Sequence, residues 1–252
     1  MESNPLFVID GEAISLEQAL QYLRIAGELP KTLREITQQH VLEKEIQMLG
    51  IEEPSTNIME QLILEFRLQK QLTTPDIFQL WLASQRLAYS DFRHSIIFRL
   101  QLESLKSKVT EPKIQNYFEE NKALLDRIVL SRIVVETAET AQGLKEKVEQ
   151  HDADFTQLAK QFSIVDDSVV GGVMGSVMRG QMPKPIYEAT ESAQQGQIVG
   201  PLEIEGLYCL LKIEQLLPVK LEGELKQELE NRLFNEWLRE KMREVNIQFV
   251  NL

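Results

Sequence analysis

The sequence predicts an α+β chain: an all-helical first half, a segment that mixes strands with helices, and a long closing helix. Three observations carry this. Helix-start signals recur from Ser15 to Pro112 with little between them that reads as strand. β-Branched runs first appear at residues 128–135 and return between 198 and 213. A stripe spaced by four, Leu221, Leu225, Leu229, Leu233 and Trp237, then marks an amphipathic helix.

The elements follow in order. Asp10 and Gly11 stand between short apolar runs at residues 6–14, a hairpin or turn signal. Ser15 with Gln18, and Thr32 with Glu35, match the capping box, in which a hydroxyl and a carboxylate or amide satisfy free amides at a helix start. The second of these helices is expected from Thr32 to about Leu49, ending at Gly50. Another covers about 57–70. Thr74 followed by Pro75 opens a helix through Arg86, and Ser90 opens the next, with Phe92, Ile96, Ile97 and Leu100 on one stripe. Thr110 and Pro112 predict a further, separate helix. From Arg127 the pattern changes. A strand over 128–135 precedes helices over about 138–150 and 155–162. A glycine-bearing stretch, Gly171 to Gly175, with room for a further short strand, leads to a helix near 186–192. A turn at Gln195 and Gly196 and a strand pair near 198–202 and 207–213 complete the segment. Residues 219–244 read as one helix, with Pro218 at its start. Its apolar stripe needs a partner, and the N-terminal helices are the expected one. The expected domains are 1–126 (helical), 127–217 (strands and helices) and 218–252 (closing helix packed back on the first).

Composition limits the function. The 252 residues carry a net charge of −12, which disfavours phosphate backbones and anionic lipid as partners. One cysteine, Cys209, excludes an internal disulfide and a multi-cysteine zinc site, and His40, His94 and His151 are far apart. No metal or cofactor is expected. The N-terminus lacks a basic and then apolar leader, and no run of roughly 18 apolar residues is present, so a cytoplasmic protein without membrane insertion is expected.

Residues 159–189 carry Phe162 and Ser163, then Gly171 to Gly175, then Arg179, Gly180, Gln181 and Met182, and then a helix. This order resembles the central signature of the parvulins, a family of peptidyl-prolyl cis/trans isomerases. Residues 196–214 resemble the family's Gly-x-hydrophobic-x-x-Pro element and last strand, and the run from Leu130 resembles its first strand. The helical flanks, with Leu233, Phe234, Trp237 and Leu238 in the closing helix, resemble SurA-like chaperones, especially leaderless bacterial relatives. The resemblance implies a mixed four-stranded sheet with helices, a SurA-like helical domain completed by the C-terminal helix, and unfolded or proline-containing polypeptides as partners.

It also implies a site. Rotating an X-Pro bond crosses a barrier of about 18–20 kcal/mol set by amide resonance, and no nucleophile is required. An apolar pocket must hold the ring and favour the twisted amide over both planar forms. By resemblance the pocket maps to Met174, Val177, Met182 and Ile186, with Gln181 beside it. Parvulins place an aromatic where Ile186 stands, and often at Val177. Their two facing histidines correspond to Arg132 and Cys209 here. The position after Phe162 and Ser163 that is usually Cys or Asp corresponds to Val165 or, with a one-residue gap, Asp166. A buried arginine needs a partner, and Asp166 or Asp167 can supply it. The arrangement expected is an Arg132–Asp166 pair beside Cys209, with Arg132 also able to donate to the twisted amide or its carbonyl. Without a neighbouring histidine, Cys209 reads as a small buried hydrophobe rather than a nucleophile, and Ser163 as a turn hydroxyl. The residues after the first strand are acidic at their start, which argues against a phosphate preference.

Three functions are compatible with these residues: a prolyl isomerase of weak activity, a non-catalytic peptide-binding chaperone, and a docking protein for one specific, possibly exported, polypeptide.

Overall fold

A computed structural model of the chain describes residues 5–248. The expected domain limits at residues 1 and 252 lie outside the described residues. The chain divides into a helical unit, which runs to Lys113 and resumes at Glu228, and a sheet unit, Ile114–Gln227.

The helical unit opens with a hairpin, β1 (Phe7–Ile9) and β2 (Glu12–Ile14). Asp10 and Gly11 form its two-residue turn with φ of 48° and 87°, the primed geometry that matches strand twist. Helix α1 (Leu16–Ile25) carries the predicted capping box: Gln18 N donates to Ser15 Oγ and Ser15 N to Gln18 Oε1. Helix α2 (Leu29–Met48) starts three residues before the predicted Thr32. Pro30 seeds the first turn with its fixed φ. The Thr32 hydroxyl therefore points back and donates to the Glu28 carbonyl at 3.0 Å, instead of capping. Helices α3 (Thr56–Gln69) and α4 (Pro75–Ser84) follow, the second capped by Thr74.

The two helices expected from Ser90 and Thr110 are one, α5 (Tyr89–Leu125), with Pro112 inside it. Thr110 is fully buried, and its hydroxyl donates to the Lys106 carbonyl at 2.9 Å. It back-bonds within the helix rather than capping a new one. Pro112 removes one backbone donor without breaking the helix.

Two apolar clusters fill the helical unit. One joins Met59, Phe78, Leu82, Phe92, Ile96 and Ile97, with Phe66 and Trp81 in edge and tilted contacts around Phe92. The other brings Phe234 and Leu238 of α9 (Gly223–Arg243) against Val41, Leu42 and Ile46 of α2 and Leu105 of α5. Trp237 stacks on Phe234, and Lys241 Nζ meets Glu45 Oε1 at 2.8 Å.

The four-spaced stripe of α9 differs from its prediction in two ways. Four residues advance about 400° in a 3.6-residue helix, so each step drifts roughly 40° and five residues do not share one face. Leu229, Phe234 and Leu238 are buried, while Leu225, Leu233 and Trp237 are only half-buried. The helix also begins at Gly223, not Val219, so Leu221 precedes it. Val219 is tied down by its own backbone: its N–H donates to Asp126 Oδ1 at 2.8 Å and its carbonyl accepts from Lys122 Nζ at 3.3 Å.

The sheet unit contains β3 (Arg127–Val135), α6 (Ala138–His151), α7 (Phe155–Phe162), β4 (Val173–Met178), α8 (Lys184–Thr190), β5 (Ile198–Ile204) and β6 (Leu207–Leu217). The strand order is β4-β3-β6-β5. Every pairing is antiparallel, which corrects the expectation of a mixed sheet. β5 and β6 turn back on each other through Glu205 and Gly206, φ 52° and 80°, and the long α6–α7 connection returns β4 against β3 in the opposite sense.

Period-two alternation gives the sheet two faces. One carries Ile133, Val135 and Leu210 against Leu144 of α6 and Phe155 and Leu158 of α7. The other carries Leu130, Val134, Cys209, Leu211 and Ile213 against Ile186 of α8. Among the described residues no helix is long and apolar enough to cross a membrane.

Candidate functional site

The second sheet face collects the residues singled out in the sequence. Met174, Val177 and Met182 are half-buried beside the buried Ile186, Cys209 and Leu211. Met174 and Val177 are three apart on β4, so strict alternation would send them to opposite faces. A bulge corrects this. Gly175 pairs with Leu130 and Val173 with Ser131, so Met174 is the extra residue, and Gly175 takes φ 76°. Val165, Val199, Leu202, Ile204 and Leu207 complete the apolar surface. The last four were not identified in the sequence as site residues, although Val199, Leu202 and Leu207 lie in the predicted strand pair and Ile204 follows its first strand.

Gln181 is exposed, in a 3₁₀ turn over Arg179–Gln181. The neighbouring Arg179 donates through Nη2 to the Thr190 carbonyl at 2.7 Å, which anchors this turn to the end of α8.

The polar centre differs from its prediction by one residue. Arg132 Nε donates to Asp167 Oδ2 at 2.7 Å, whereas Asp166 is exposed. Both aspartates lie in a 3₁₀ turn, Asp166–Val170. One backbone bond ties this segment to β3, with Arg132 N donating to the Gly172 carbonyl, and a second closes the turn, with Gly172 N donating to the Asp167 carbonyl, both at 2.8 Å. This closes Asp167, not Asp166, over Arg132. The side chains are 35% and 20% exposed, so screening holds the pair to about 1 kcal/mol. Asp167 Oδ1 is buried and has no hydrogen-bond partner among the described residues. Val165 packs with the apolar face while Asp166 leaves it. Ser163 is a brace: its Oγ accepts from Val134 N at 3.0 Å, and Ile164 N donates to the Val134 carbonyl.

Cys209 is buried, with Sγ 3.7 Å from the Leu210 carbonyl. Burial pushes its thiol from an ordinary value near 9 up to about 11; Arg132 opposes this and Asp167 reinforces it. The thiol is therefore protonated and unreactive at neutral pH. Its folded value lies above its unfolded one, so the stability it contributes is complete below about pH 9 and is lost as pH rises towards 11. The expected loss across that window is about 2–3 kcal/mol. Urea titrations at pH 8 and 10.5 check it: Cys209→Ala removes this part of the alkaline slope, and an unchanged slope refutes the assignment. Among the described residues no group of three or more His, Cys, Asp or Glu side chains could hold a metal ion.

The candidate site is thus an apolar surface on an antiparallel sheet, edged by the Arg132–Asp167 pair. Residues 131–215 match the family model described as Rotamase, PPIC-type PPIASE domain. The chain is 31% identical over 124 residues to the foldase protein PrsA of a Geobacillus species, covering 49% of this chain and 44% of the relative. It is 25% identical over 166 residues to the chaperone SurA of Pseudomonas fluorescens, covering 58% of this chain and 39% of that one. The matches thus span less than half the length of these curated relatives. A crystal structure of the peptidylprolyl isomerase PrsA from Bacillus cereus superposes with a TM-score of 0.55 at 18% identity, covering 99% of this chain and 95% of that one. That likeness shows the fold of the chain.

Proposed function

We propose that the chain is a prolyl isomerase that acts as a foldase on proline-containing polypeptides. The observation that carries this is the gathering of Met174, Val177, Met182 and Ile186 on one face beside Arg132. A proline ring against these side chains is desolvated, and water is kept from the bond that twists. The reaction needs no nucleophile, which suits a protonated Cys209. Thioether and aliphatic walls replace flat aromatic ones, and one ion pair replaces two titratable rings, so modest turnover is expected.

Two-dimensional exchange NMR on short Ala-Pro and Glu-Pro peptides tests the reading. Cis/trans exchange should accelerate with enzyme concentration, and more for Ala-Pro. A rate equal to the uncatalysed one removes the enzyme reading.

A second reading, a chaperone that binds unfolded chains, is favoured by the apolar exposure of the helical unit. Ile25 is 76% exposed, Leu80 71% and Leu68 60%. Suppression of aggregation of an unfolded client by a protein without isomerase activity supports it alone. If aggregation is not suppressed, it is removed.

A further inference from the structure

A hydrogen-bond donor can meet an isomerising amide at two atoms, with opposite effects. At the carbonyl oxygen it favours the resonance form with a C=N double bond, so it stabilises both planar states and slows rotation. At the prolyl nitrogen it engages a lone pair that is free only when the amide is twisted, so it acts in the transition state alone. The question for this site is which atom its donor can follow.

Arg132 supplies that donor. A guanidinium has five N–H groups and accepts nothing, so it binds without taking a proton. One of the five is committed to Asp167 Oδ2 at 2.7 Å, and the side chain remains 35% exposed. Its backbone is fixed by the bond from Arg132 N to the Gly172 carbonyl, and two residues on Val134 N is held by Ser163 Oγ. The group is preoriented on the face that carries Met174, Val177, Met182 and Ile186. When those side chains grip the proline ring, the nitrogen, itself a ring atom, stays still. The acyl group then turns through half a revolution and its carbonyl oxygen sweeps past. A donor anchored at Nε keeps register only with the stationary atom.

We propose that Arg132 is the catalytic donor to the prolyl nitrogen of the twisted amide, and that Asp167 is the residue that positions it. No covalent bond is formed or broken. The assignment rests on the isomerase reading above.

Steady-state exchange NMR on an Ala-Pro peptide with the full chain tests it, using wild type, Arg132→Leu and Asp167→Asn. Removing a donor that acts only in the transition state lowers kcat and leaves KM in place. Arg132→Leu is expected to lose ~10- to 100-fold in kcat with KM within about twofold of wild type, the range for one hydrogen bond from a charged group. Asp167→Asn keeps an acceptor for Nε without its charge, and should lose about three- to tenfold in kcat. In both variants the methyl shifts of Met174 and Met182 should still respond to the peptide. A kcat that is unchanged or raised in Arg132→Leu, or a loss confined to KM, overturns the proposal, because those are the signatures of a carbonyl contact. Where the leucine variant does not fold, Asp167→Asn decides: an unchanged kcat overturns the positioning and the donor together. A wild type without catalysis removes the isomerase reading first and Arg132's role with it, a result distinct from active wild type with indifferent variants.

Discussion

Gly172→Ala is expected to destabilise the sheet unit by about 3 kcal/mol or more, the upper range for a single substitution. Gly172 has φ +79°, where an alanine is strained whatever the space. There is also no space: a Cβ would lie 2.0 Å from the Arg132 carbonyl oxygen and 3.1 Å from its carbonyl carbon. Both are backbone atoms of a central strand, and the bond from Arg132 N to the Gly172 carbonyl holds the two segments together. The neighbouring glycines calibrate the effect. At Gly171 the obstacle is the Thr156 methyl at 2.2 Å, a side-chain atom that can turn away; at Gly175 nothing lies within 4 Å and only the backbone strain remains. The expected order of damage is therefore Gly172, Gly171, Gly175. Amide hydrogen exchange at Ile133 and Leu210, on paired positions of β3 and β6, measures it within the sheet unit. Equal losses for Gly172→Ala and Gly175→Ala would contradict the close approach.

Met182→Asp is expected to abolish isomerisation, by at least about a hundredfold in kcat/KM, and to leave the fold in place. Met182 is half-buried, so a carboxylate there keeps contact with water in the free protein. Seating a proline ring against it would strip that water without offering a partner, at a cost of several kcal/mol. Met182→Leu keeps volume and apolarity and should stay within a few-fold of wild type. Peptide titrations followed by NMR separate the two. Tight binding by the aspartate variant would mean that the ring sits elsewhere.

Much of this was readable in the chain because local chemistry decides it. The Asp10 and Gly11 turn, the Ser15 cap, the Thr74 cap and the limits of α7 depend on neighbours in sequence, and they stand where the residues indicate. Errors arose where a local signal competed with packing. Thr110 looks like a cap, but it is buried and back-bonds to Lys106. Thr32 looks like a cap until Pro30 starts the helix earlier. Leu221 fits a spacing that slowly rotates off the buried face. In the site, the resemblance led to Met174, Val177, Met182 and Ile186, but the β4 bulge that unites the first two is a matter of register. The choice between Asp166 and Asp167 turned on one residue of 3₁₀ geometry and on the Gly172 clamp, neither of which is written in residue type.

The aromatic packing of the helical unit has a practical consequence. The chain's two tryptophans, Trp81 and Trp237, lie in the two apolar clusters of that unit, and residues 114–227 contain tyrosines 117, 187 and 208 but no tryptophan. Indole emission therefore reports on the helical unit. A client that quenches it has touched the helical unit. A prolyl peptide that perturbs the sheet methyls while the emission holds steady has engaged the sheet unit, so one cuvette and one NMR tube follow the two halves of the chain separately.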